Sequence, residues 1–338
     1  MEPADDKGKT QVFDVVEGVF KLRLDSRDYK LLYELDVDCR QSLARLATKI
    51  GVSKQRAAYR LKRLEAAGVV KGYCALIDSS RLGFLQLRTY ISLRRADELV
   101  VRRMISFLKA EKAVTAIVRL AGPADLALGL SVRKHGDYHA FWRAFESEFK
   151  EFIAESRVAI YSPVYHFSKA YLVGSRGSEA PRVIGGDAVV EVDETDLRVL
   201  RAISRNSRLE AVKIAEEAGV SAEIVANRLK ALREKGVIQG YRALIDVEKL
   251  GYEFYKVDFS LSRALDRVKV REYFQQDANA YQVNETIGGA DVEVEFHVRN
   301  LQELLAKIEA FRKAFPSAVE SFEHYRLLSE EKMTFFPE

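Results

Sequence analysis

The sequence predicts an α+β protein in which two winged helix-turn-helix domains alternate with two ferredoxin-like βαββαβ domains. Two observations support this prediction: an ungapped internal repeat and the order of periodic segments within each copy. The stretch GVSKQRAAYRLKRLEAAGVVKGYCALID (51–78) returns as GVSAEIVANRLKALREKGVIQGYRALID (219–246), with about 16 of 28 positions identical. The same offset of 168 residues holds without a gap from roughly residue 24 to residue 93.

The repeat divides the chain into six parts. They are an N-terminal tail (1–23), helix-turn-helix 1 (24–80), βαββαβ domain 1 (81–172), a linker (173–191), helix-turn-helix 2 (192–248) and βαββαβ domain 2 (249–338). The linker holds four Gly and one Pro and has no helical period. These features predict an irregular connection between the two copies.

Each copy begins with three helical segments and a short extended one. In copy one, LDSRDYKLLYEL and SLARLATKI carry apolar residues at helical spacing. Gly51 supplies a tight turn, and Ser53 caps a third helix that Gly68 ends. VVKGYCALID alternates apolar and polar residues, which predicts the short strand pair of a wing. Strand and helix patterns then follow in the order βαββαβ.

In this arrangement the chain resembles the Lrp/AsnC family of transcription regulators. The resemblance is carried by the repeated helix-turn-helix stretch, by Leu82-Gly83, and by the turn Gly122-Pro-Ala-Asp125, whose partner in copy two is Gly288-Gly-Ala-Asp291. It implies RAM-type βαββαβ domains that dimerise and bind a small effector, frequently an amino acid, near Gly122, Asp125, Gly288 and Asp291. Family members ordinarily carry one copy per chain. The fused pair therefore suggests a pseudo-dimer within one chain, and a homo-oligomer of such chains.

Composition excludes several other classes. The 338 residues carry 54 basic and 50 acidic side chains, and their only cysteines, Cys39 and Cys74, have no metal-type spacing. Neither a signal peptide nor an apolar run of membrane length is present, so a cytoplasmic protein without membrane contact is expected. His135 and His139 lack further ligands nearby, and no phosphate loop or nucleophile elbow occurs. We therefore expect no metal, no cofactor and no enzyme activity.

The third helix of copy one is predicted to read double-stranded DNA. A helical projection turns Gln55, Arg56, Tyr59 and Arg63 outward, and these side chains suit base and phosphate contacts. The full predicted set in copy one is Ser53, Lys54, Gln55, Arg56, Tyr59, Arg60, Lys62 and Arg63. The alternative is a solvated basic face.

The equivalent helix of copy two has lost most of these side chains. Its outward positions are Glu223, Ile224, Asn227 and Ala231, so only Asn227, Arg228 and Lys230 remain as predicted DNA contacts. Residues 24–72 carry 11 basic against 6 acidic side chains, whereas residues 192–240 carry 9 against 8. Helix-turn-helix 1 is therefore the expected main reader. The second unit binds DNA weakly or presents Ile224 to a protein.

The strand VEVEFHV of copy two turns Glu293, Glu295 and His297 to the face opposite its valines. In the family that the chain resembles, this is the face on which the sheets meet. Two alternatives stay open: a cation from copy one, Arg88 or Arg119, neutralises the carboxylates, or the site near Asp125 and Asp291 accepts a cationic ligand.

A rival function is that of an enzyme. Siroheme decarboxylases are similar to Lrp/AsnC proteins in architecture and act as paired subunits. The resemblance to that group implies a histidine-bearing, aromatic-rich segment where this chain has VRLAGPADLALGL, and copy two offers only Phe296 and His297 there. A third alternative is an interaction scaffold with no role on DNA.

Overall fold

The computed structural model describes residues 14–15, 22–175, 179–186, 188–262 and 266–337. The two helix-turn-helix units share one hydrophobic core, and the two βαββαβ halves join into one closed sheet. The predicted fold class is therefore confirmed. Near the N-terminus, β1 (Asp14–Val15) pairs antiparallel with β2 (Leu22–Arg23). No helix in the described ranges combines the length and the apolarity that crossing a bilayer requires.

The first helix-turn-helix consists of three capped helices. They are α1 (Ser26–Val37), α2 (Leu43–Ile50) and α3 (Lys54–Ala66). Asp25 caps α1 in a capping box with Asp28, and Ser53 caps α3 by accepting from the Arg56 amide. Gly51 ends α2 with a φ of 70°, the left-handed conformation that glycine adopts at least cost. Local sequence thus determines where each helix begins and ends.

The first half-sheet has the predicted βαββαβ order. After β3 (Val70–Ile77) come β4 (Leu85–Leu93), α4 (Glu98–Ala110), β5 (Val114–Ala121), β6 (Leu126–Val132), α5 (His135–Phe149) and β7 (Ile153–His166). Helices α4 and α5 cover the outer face of this sheet, where Leu108, Phe145 and Phe149 are fully buried. Trp142 packs against the same cluster.

The second copy repeats the first after one short strand. Its elements are β8 (Arg182–Ile184), α6 (Glu194–Arg205), α7 (Ala211–Ala218), α8 (Ala222–Glu234), β9 (Ile238–Ile245), β10 (Glu253–Leu261), α9 (Arg267–Gln275), β11 (Ala280–Ile287), β12 (Val292–Val298), α10 (Leu301–Ala314) and β13 (Val319–Met333). Helices α9 and α10 bury Phe274 and Phe311 against the sheet. Both copies therefore use aromatic side chains to attach their helices.

The predicted linker contains the strand β8. This strand pairs with the end of β7, where Val164 faces Ile184. Farther along, the Val190 amide donates to the Arg81 carbonyl over 2.9 Å. The connection is therefore attached to copy one at both places.

The predicted wing is wrong in its pairing. Strand β3 pairs antiparallel with β9 of copy two and makes a two-stranded ribbon that joins the two helix-turn-helix units. The register places Tyr73 opposite Ala243 and Ala75 opposite Tyr241, which are equivalent pairs 168 residues apart. A local hairpin cannot be distinguished from this long-range ribbon by the alternation of one segment.

A pseudo-twofold axis relates the two helix-turn-helix units. The Cys39 thiol lies 3.2 Å from the hydroxyl of its own equivalent, Ser207. Arg40 donates to the Ser207 carbonyl, and its equivalent Arg208 donates to the Cys39 carbonyl. Such reciprocal contacts are typical of a two-fold dimer interface. Here they occur within one chain, which confirms the expected pseudo-dimer.

The two half-sheets close into an eight-stranded barrel. Its order is β11-β12-β10-β13-β5-β6-β4-β7, and β7 pairs again with β11. The copies therefore meet along two seams, β13 with β5 and β7 with β11. The expected packing of sheet on sheet takes the form of edge pairing, with the faces opposite the helices turned to a common interior.

A buried ion cluster connects the first helix-turn-helix to the ribbon and the barrel. The Asp36 carboxylate on α1 accepts two hydrogen bonds of 2.9 Å from Arg242 on β9. It also accepts 2.8 Å bonds from the amide and the Nζ of Lys169, which follows β7. Burial alone would raise the pKa of Asp36, but these two cations hold that pKa well below its usual range. Three structural units therefore meet at one carboxylate.

We predict that Asp36→Asn lowers the free energy of unfolding by about 3–5 kcal/mol, because two cations then remain buried without a charged partner. The depressed pKa means that this contribution is present above the ordinary aspartate value of about 4 and is lost as the pH falls further. Urea unfolding between pH 3 and pH 8 measures both effects. The control is Ser204→Ala at the equivalent position of copy two; an equal loss there contradicts the assignment.

Candidate nucleic-acid interface

Helix α3 presents an exposed polar face, as its periodicity predicted. Lys54, Gln55, Arg56 and Lys62 are exposed, and 70% of the Tyr59 side chain is accessible. The opposite face buries Ala57, Leu61 and Leu64 in the shared core. Because α2 and Gly51 hold α3 against α1, these exposed side chains lie on a rigid element, as groove contacts require.

Two of the predicted DNA contacts are engaged inside the domain. Arg60 donates to Asp25 over 2.8 Å and to Asp28 over 2.6 Å, and Arg63 reaches the other Asp28 oxygen over 2.5 Å. The Asp28 side chain is fully buried. Arg60 and Arg63 therefore attach α3 to the start of α1, and their contact with DNA stays a prediction.

Copy two repeats this attachment. Arg228, the equivalent of Arg60, lies 2.8 Å from Asp193 and 3.4 Å from Asp196, the equivalents of Asp25 and Asp28. The ion pair is thus present in both copies although the exposed faces of the helices differ. A contact that is kept irrespective of the face beside it belongs to the domain core. Arg228 is held in the same way, and its contact with DNA also stays a prediction.

The exposed face of α8 has a different chemistry. Where α3 carries Gln55 and Arg56, α8 carries Glu223 and Ile224, and 41% of the Ile224 side chain is exposed. Asn227 is exposed, and Lys230 lies 3.9 Å from Glu234 on the same helix. The Glu223 carboxylate stands at the position that Gln55 has in α3, and its negative charge disfavours approach to phosphates.

The two Gly-x-x-Asp turns have a structural role that is the same in both copies. Asp125 accepts from the Leu93 amide over 2.6 Å, and Asp291 accepts from the equivalent Leu261 amide over 2.8 Å. Gly122 has a φ of 144°, and a Cβ there would lie 2.7 Å from the His324 carbonyl oxygen. Gly288 is also left-handed, with a φ of 82°. Each aspartate thus holds the end of a neighbouring strand.

Glu293 and Glu295 lie in the barrel interior, on the face predicted for them. Tyr161 of copy one donates to Glu293, and Lys256 lies 3.3 Å from the same carboxylate. Gln282 donates to Glu295 over 3.2 Å. Burial raises the pKa of Glu295, and the nearby Arg88 guanidinium opposes that rise.

Of the two alternatives that the sequence left open for these carboxylates, the structure shows internal neutralisation. The cation in contact is Lys256, 3.3 Å from Glu293, and the Arg88 guanidinium opposes the rise in the pKa of Glu295. Arg119 instead pairs at the surface with Glu98 over 2.9 Å. Glu293 and Glu295 are buried among partners of the same chain, and their role in binding a cationic ligand stays a prediction. Lys256 belongs to copy two itself, whereas the sequence predicted a cation from copy one.

Sequence reasoning also missed the Asp36 cluster. Its signal lies in the repeat: Asp36 stands where copy two has Ser204, and Arg242 stands where copy one has Cys74. When a buried position is charged in one copy and uncharged in the other, the charged side chain makes a contact that the other copy lacks. His135 and His139 are exposed, and across the described ranges no group of three or more His, Cys, Asp or Glu is placed to hold a metal.

One protein-family model matches two segments of the chain. A winged helix-turn-helix DNA-binding model matches residues 24–71 and 192–239. These are the same two segments that the internal repeat identified, and each ends at the start of the β3–β9 ribbon.

Several curated transcription regulators are similar in sequence. The leucine-responsive regulatory protein of Rhizobium meliloti is 42% identical over 64 residues, which is 19% of this chain and 41% of that protein. The proline dehydrogenase transcriptional activator of Rhodobacter capsulatus is 30% identical over 114 residues, which is 33% of this chain and 72% of the activator. Regulator FL11 of Pyrococcus abyssi is 29% identical over 121 residues, 34% of this chain and 76% of FL11. The chain thus spans less than half of the first relative and about three quarters of the other two.

Two solved structures of one enzyme match nearly the whole chain. The siroheme decarboxylase NirDL superposes with a TM-score of 0.59 at 14% identity, covering 91% of this chain and 92% of that one. At this identity the likeness concerns the fold alone. It nevertheless corrects the expectation that the chain is not an enzyme, because the tandem architecture that matches 91% of the chain is found in an enzyme.

We predict that Arg60→Ala lowers the free energy of unfolding by about 2 kcal/mol, because charged hydrogen bonds to a buried carboxylate are lost. Arg228→Ala has a similar effect on copy two for the same reason. The matched control is Arg56→Ala, an exposed neighbour that changes stability by less than about 0.5 kcal/mol. Chemical denaturation measures all three. An Arg60→Ala protein of unchanged stability would contradict the structural role.

Proposed function

This chain belongs to the Lrp/AsnC family of transcription regulators, and from that premise we propose that it is a sequence-specific DNA-binding regulator with helix-turn-helix 1 as its main reader. The observation that supports the choice of reader is the contrast between α3 and α8. Both helices pack on the shared core and are held by equivalent ion pairs. Helix α3 exposes Gln55, Arg56 and Tyr59, whereas α8 has Glu223, Ile224 and Asn227 at the same positions. Because α3 and α8 differ on their exposed faces and not in their packing, we infer that they differ in what they bind.

The proposed DNA contacts divide by chemistry. Gln55 and Arg56 lie in the first turn of α3, the part of a recognition helix that reaches base edges. Arginine donates two hydrogen bonds to guanine, and glutamine can do the same to adenine. Lys54 and Lys62 suit phosphate, and Ser53 stays at the cap of the helix, where amides approach the backbone of the duplex. In copy two, Asn227 and Lys230 contribute weakly.

We predict that Gln55→Ala with Arg56→Ala weakens binding to an operator selected from random duplexes by about 1–3 kcal/mol for each lost base contact. The matched control is Glu223→Ala with Ile224→Ala, which removes the same two positions from α8. Fluorescence anisotropy over a range of salt concentrations measures both affinities and the number of phosphates contacted. A larger loss in the control would assign the main reader to helix-turn-helix 2.

The proposal includes assembly of chains into a homo-oligomer. One chain offers one strong reader, whereas a two-fold operator needs two equivalent readers. Pairing of two pseudo-dimeric chains supplies them. The ribbon and the barrel are completed within each chain. Helix-turn-helix 1 therefore has the same surroundings in both chains of the pair.

We predict that light scattering at micromolar concentration gives the mass of two chains or a multiple of two, and that one such assembly binds one selected operator. A single chain both alone and on DNA would contradict the pairing. The Gln55→Ala, Arg56→Ala protein serves as the control, because it should assemble normally while binding DNA weakly.

The finer part of the proposal is a response to a small effector such as an amino acid. Family membership supports it, with the turns at Gly122–Asp125 and Gly288–Asp291 as the proposed location. Since Asp125 and Asp291 already accept backbone amides, exposed groups of the turns must provide recognition. Repeating the anisotropy measurement with a panel of amino acids tests this response separately from DNA binding.

A further inference from the structure

The two seams of the barrel are related by the pseudo-twofold axis but have different chemistry. The registers of β4 with β7 and of β10 with β13 make Tyr161 the equivalent of Leu327. The registers of β4 with β6 and of β10 with β12 make Glu293 the equivalent of Ala127. The residues at equivalent positions of the two seams can therefore be compared directly.

The seam between β7 and β11 is polar. Tyr161 of copy one donates to Glu293 of copy two, and the Tyr90 hydroxyl lies 2.8 Å from that of Tyr161. Asn284 donates to the same carboxylate over 3.4 Å. Glu293 is completely buried, so these donors and Lys256 replace its hydration.

The seam between β13 and β5 is apolar at the equivalent positions. Leu327 packs there against a buried cluster that includes Val118, Leu120 and Ala127. Leu327 and Ala127 stand there in place of the tyrosine and the glutamate. The tyrosine and the glutamate therefore occur as a matched pair on one seam, and leucine and alanine as a matched pair on the other.

A second contact between the copies has the same asymmetry. Arg157 of copy one donates to Asp258 of copy two over 2.8 Å and to the Tyr325 hydroxyl over 2.9 Å. By the same registers, the equivalent of Arg157 is Glu323, and the equivalent of Asp258 is Tyr90. Charge complementarity thus exists only when one half comes from each copy.

We propose that this interior makes the barrel selective for one half-sheet of each kind and rejects pairs of like halves. Two copy-two halves would place Leu327 against the buried Glu293, which would lose its tyrosine donor and keep only Asn284 and Lys256, and would set Glu323 against Asp258 in place of Arg157. Two copy-one halves would leave Arg157 without its carboxylate and the Tyr161 hydroxyl against Ala127. An unpaired buried charge is strongly unfavourable, so both like pairs are disfavoured.

The partner that each half accepts is therefore the complementary half of this same chain or of a second copy of it. A relative whose interior lacks these charges is not accepted. Every barrel then carries one unit of each helix-turn-helix kind. The proposal concerns assembly and holds whether or not the chain binds DNA.

The first test uses the full chain with a protease site inserted after Ser175 in the linker. The purified protein is cleaved, unfolded in urea and refolded, and native mass spectrometry counts mixed and like pairs by mass. Random pairing would give two mixed pairs for every one pair of each like kind. We expect the ratio of mixed to like pairs to be at least tenfold higher than this. A random distribution would overturn the proposal.

The second test needs no cleavage. In the intact chain, Tyr161→Leu and Glu293→Ala are made singly and together, so that the double variant gives the polar seam the residues of the apolar one. We expect each single change to lower the urea midpoint, and the double variant to lie above the poorer single variant. Additive losses would overturn the matched pair. The control is Glu98→Ala with Arg119→Ala, an exposed ion pair for which small single effects and only weak coupling are expected.

The two tests are joined by applying the cleavage assay to the double variant. Because its two seams carry the same residues at these positions, it should form like pairs several-fold more often than the parent chain. Unchanged selectivity in a stable double variant would assign the choice of partner to other residues and overturn the role given to Tyr161 and Glu293.

Discussion

The structure depends on one constraint, which is that the edge strands of each half-sheet must be paired. A four-stranded βαββαβ sheet exposes two edges, and unpaired strand edges favour uncontrolled association. Here β5 and β7 of copy one pair with β13 and β11 of copy two, so closure removes both edges at once. The positions of the two helix-turn-helix units then follow, because the β3–β9 ribbon and the Asp36 cluster attach them to the closed barrel.

Fusion of the two copies allows them to diverge at positions that face each other. In a symmetric dimer every substitution appears twice across the axis, whereas in this chain it appears once. Asp36 with Arg242, and Tyr161 with Glu293, are pairs that need different residues at equivalent positions. The exposed faces of α3 and α8 differ for the same reason. Divergence of the readers and divergence of the interior are thus two consequences of a single fusion.

The resemblance of the whole chain to a siroheme decarboxylase and of its segments to regulators is consistent with this view. The tandem barrel is an architecture, and function resides in the side chains placed on it. In this chain the interior side chains contact one another: tyrosines and cations of copy one meet carboxylates of copy two. The exposed chemistry that distinguishes the copies lies instead on α3.

The sequence by itself determined the repeat, the helix boundaries and the exposed face of α3, because these follow from local caps and from periodicity within a few turns. It also placed Glu293 and Glu295 on the correct face of their strand. Only the tertiary structure decided the partner of β3, the role of Arg60 and the cation opposite the carboxylates. Each of these depends on a contact between segments far apart in the chain. A helical projection places Arg60 on a flank, but Asp28 lies on another helix, and periodicity carries no information about which distant charge a side chain will meet.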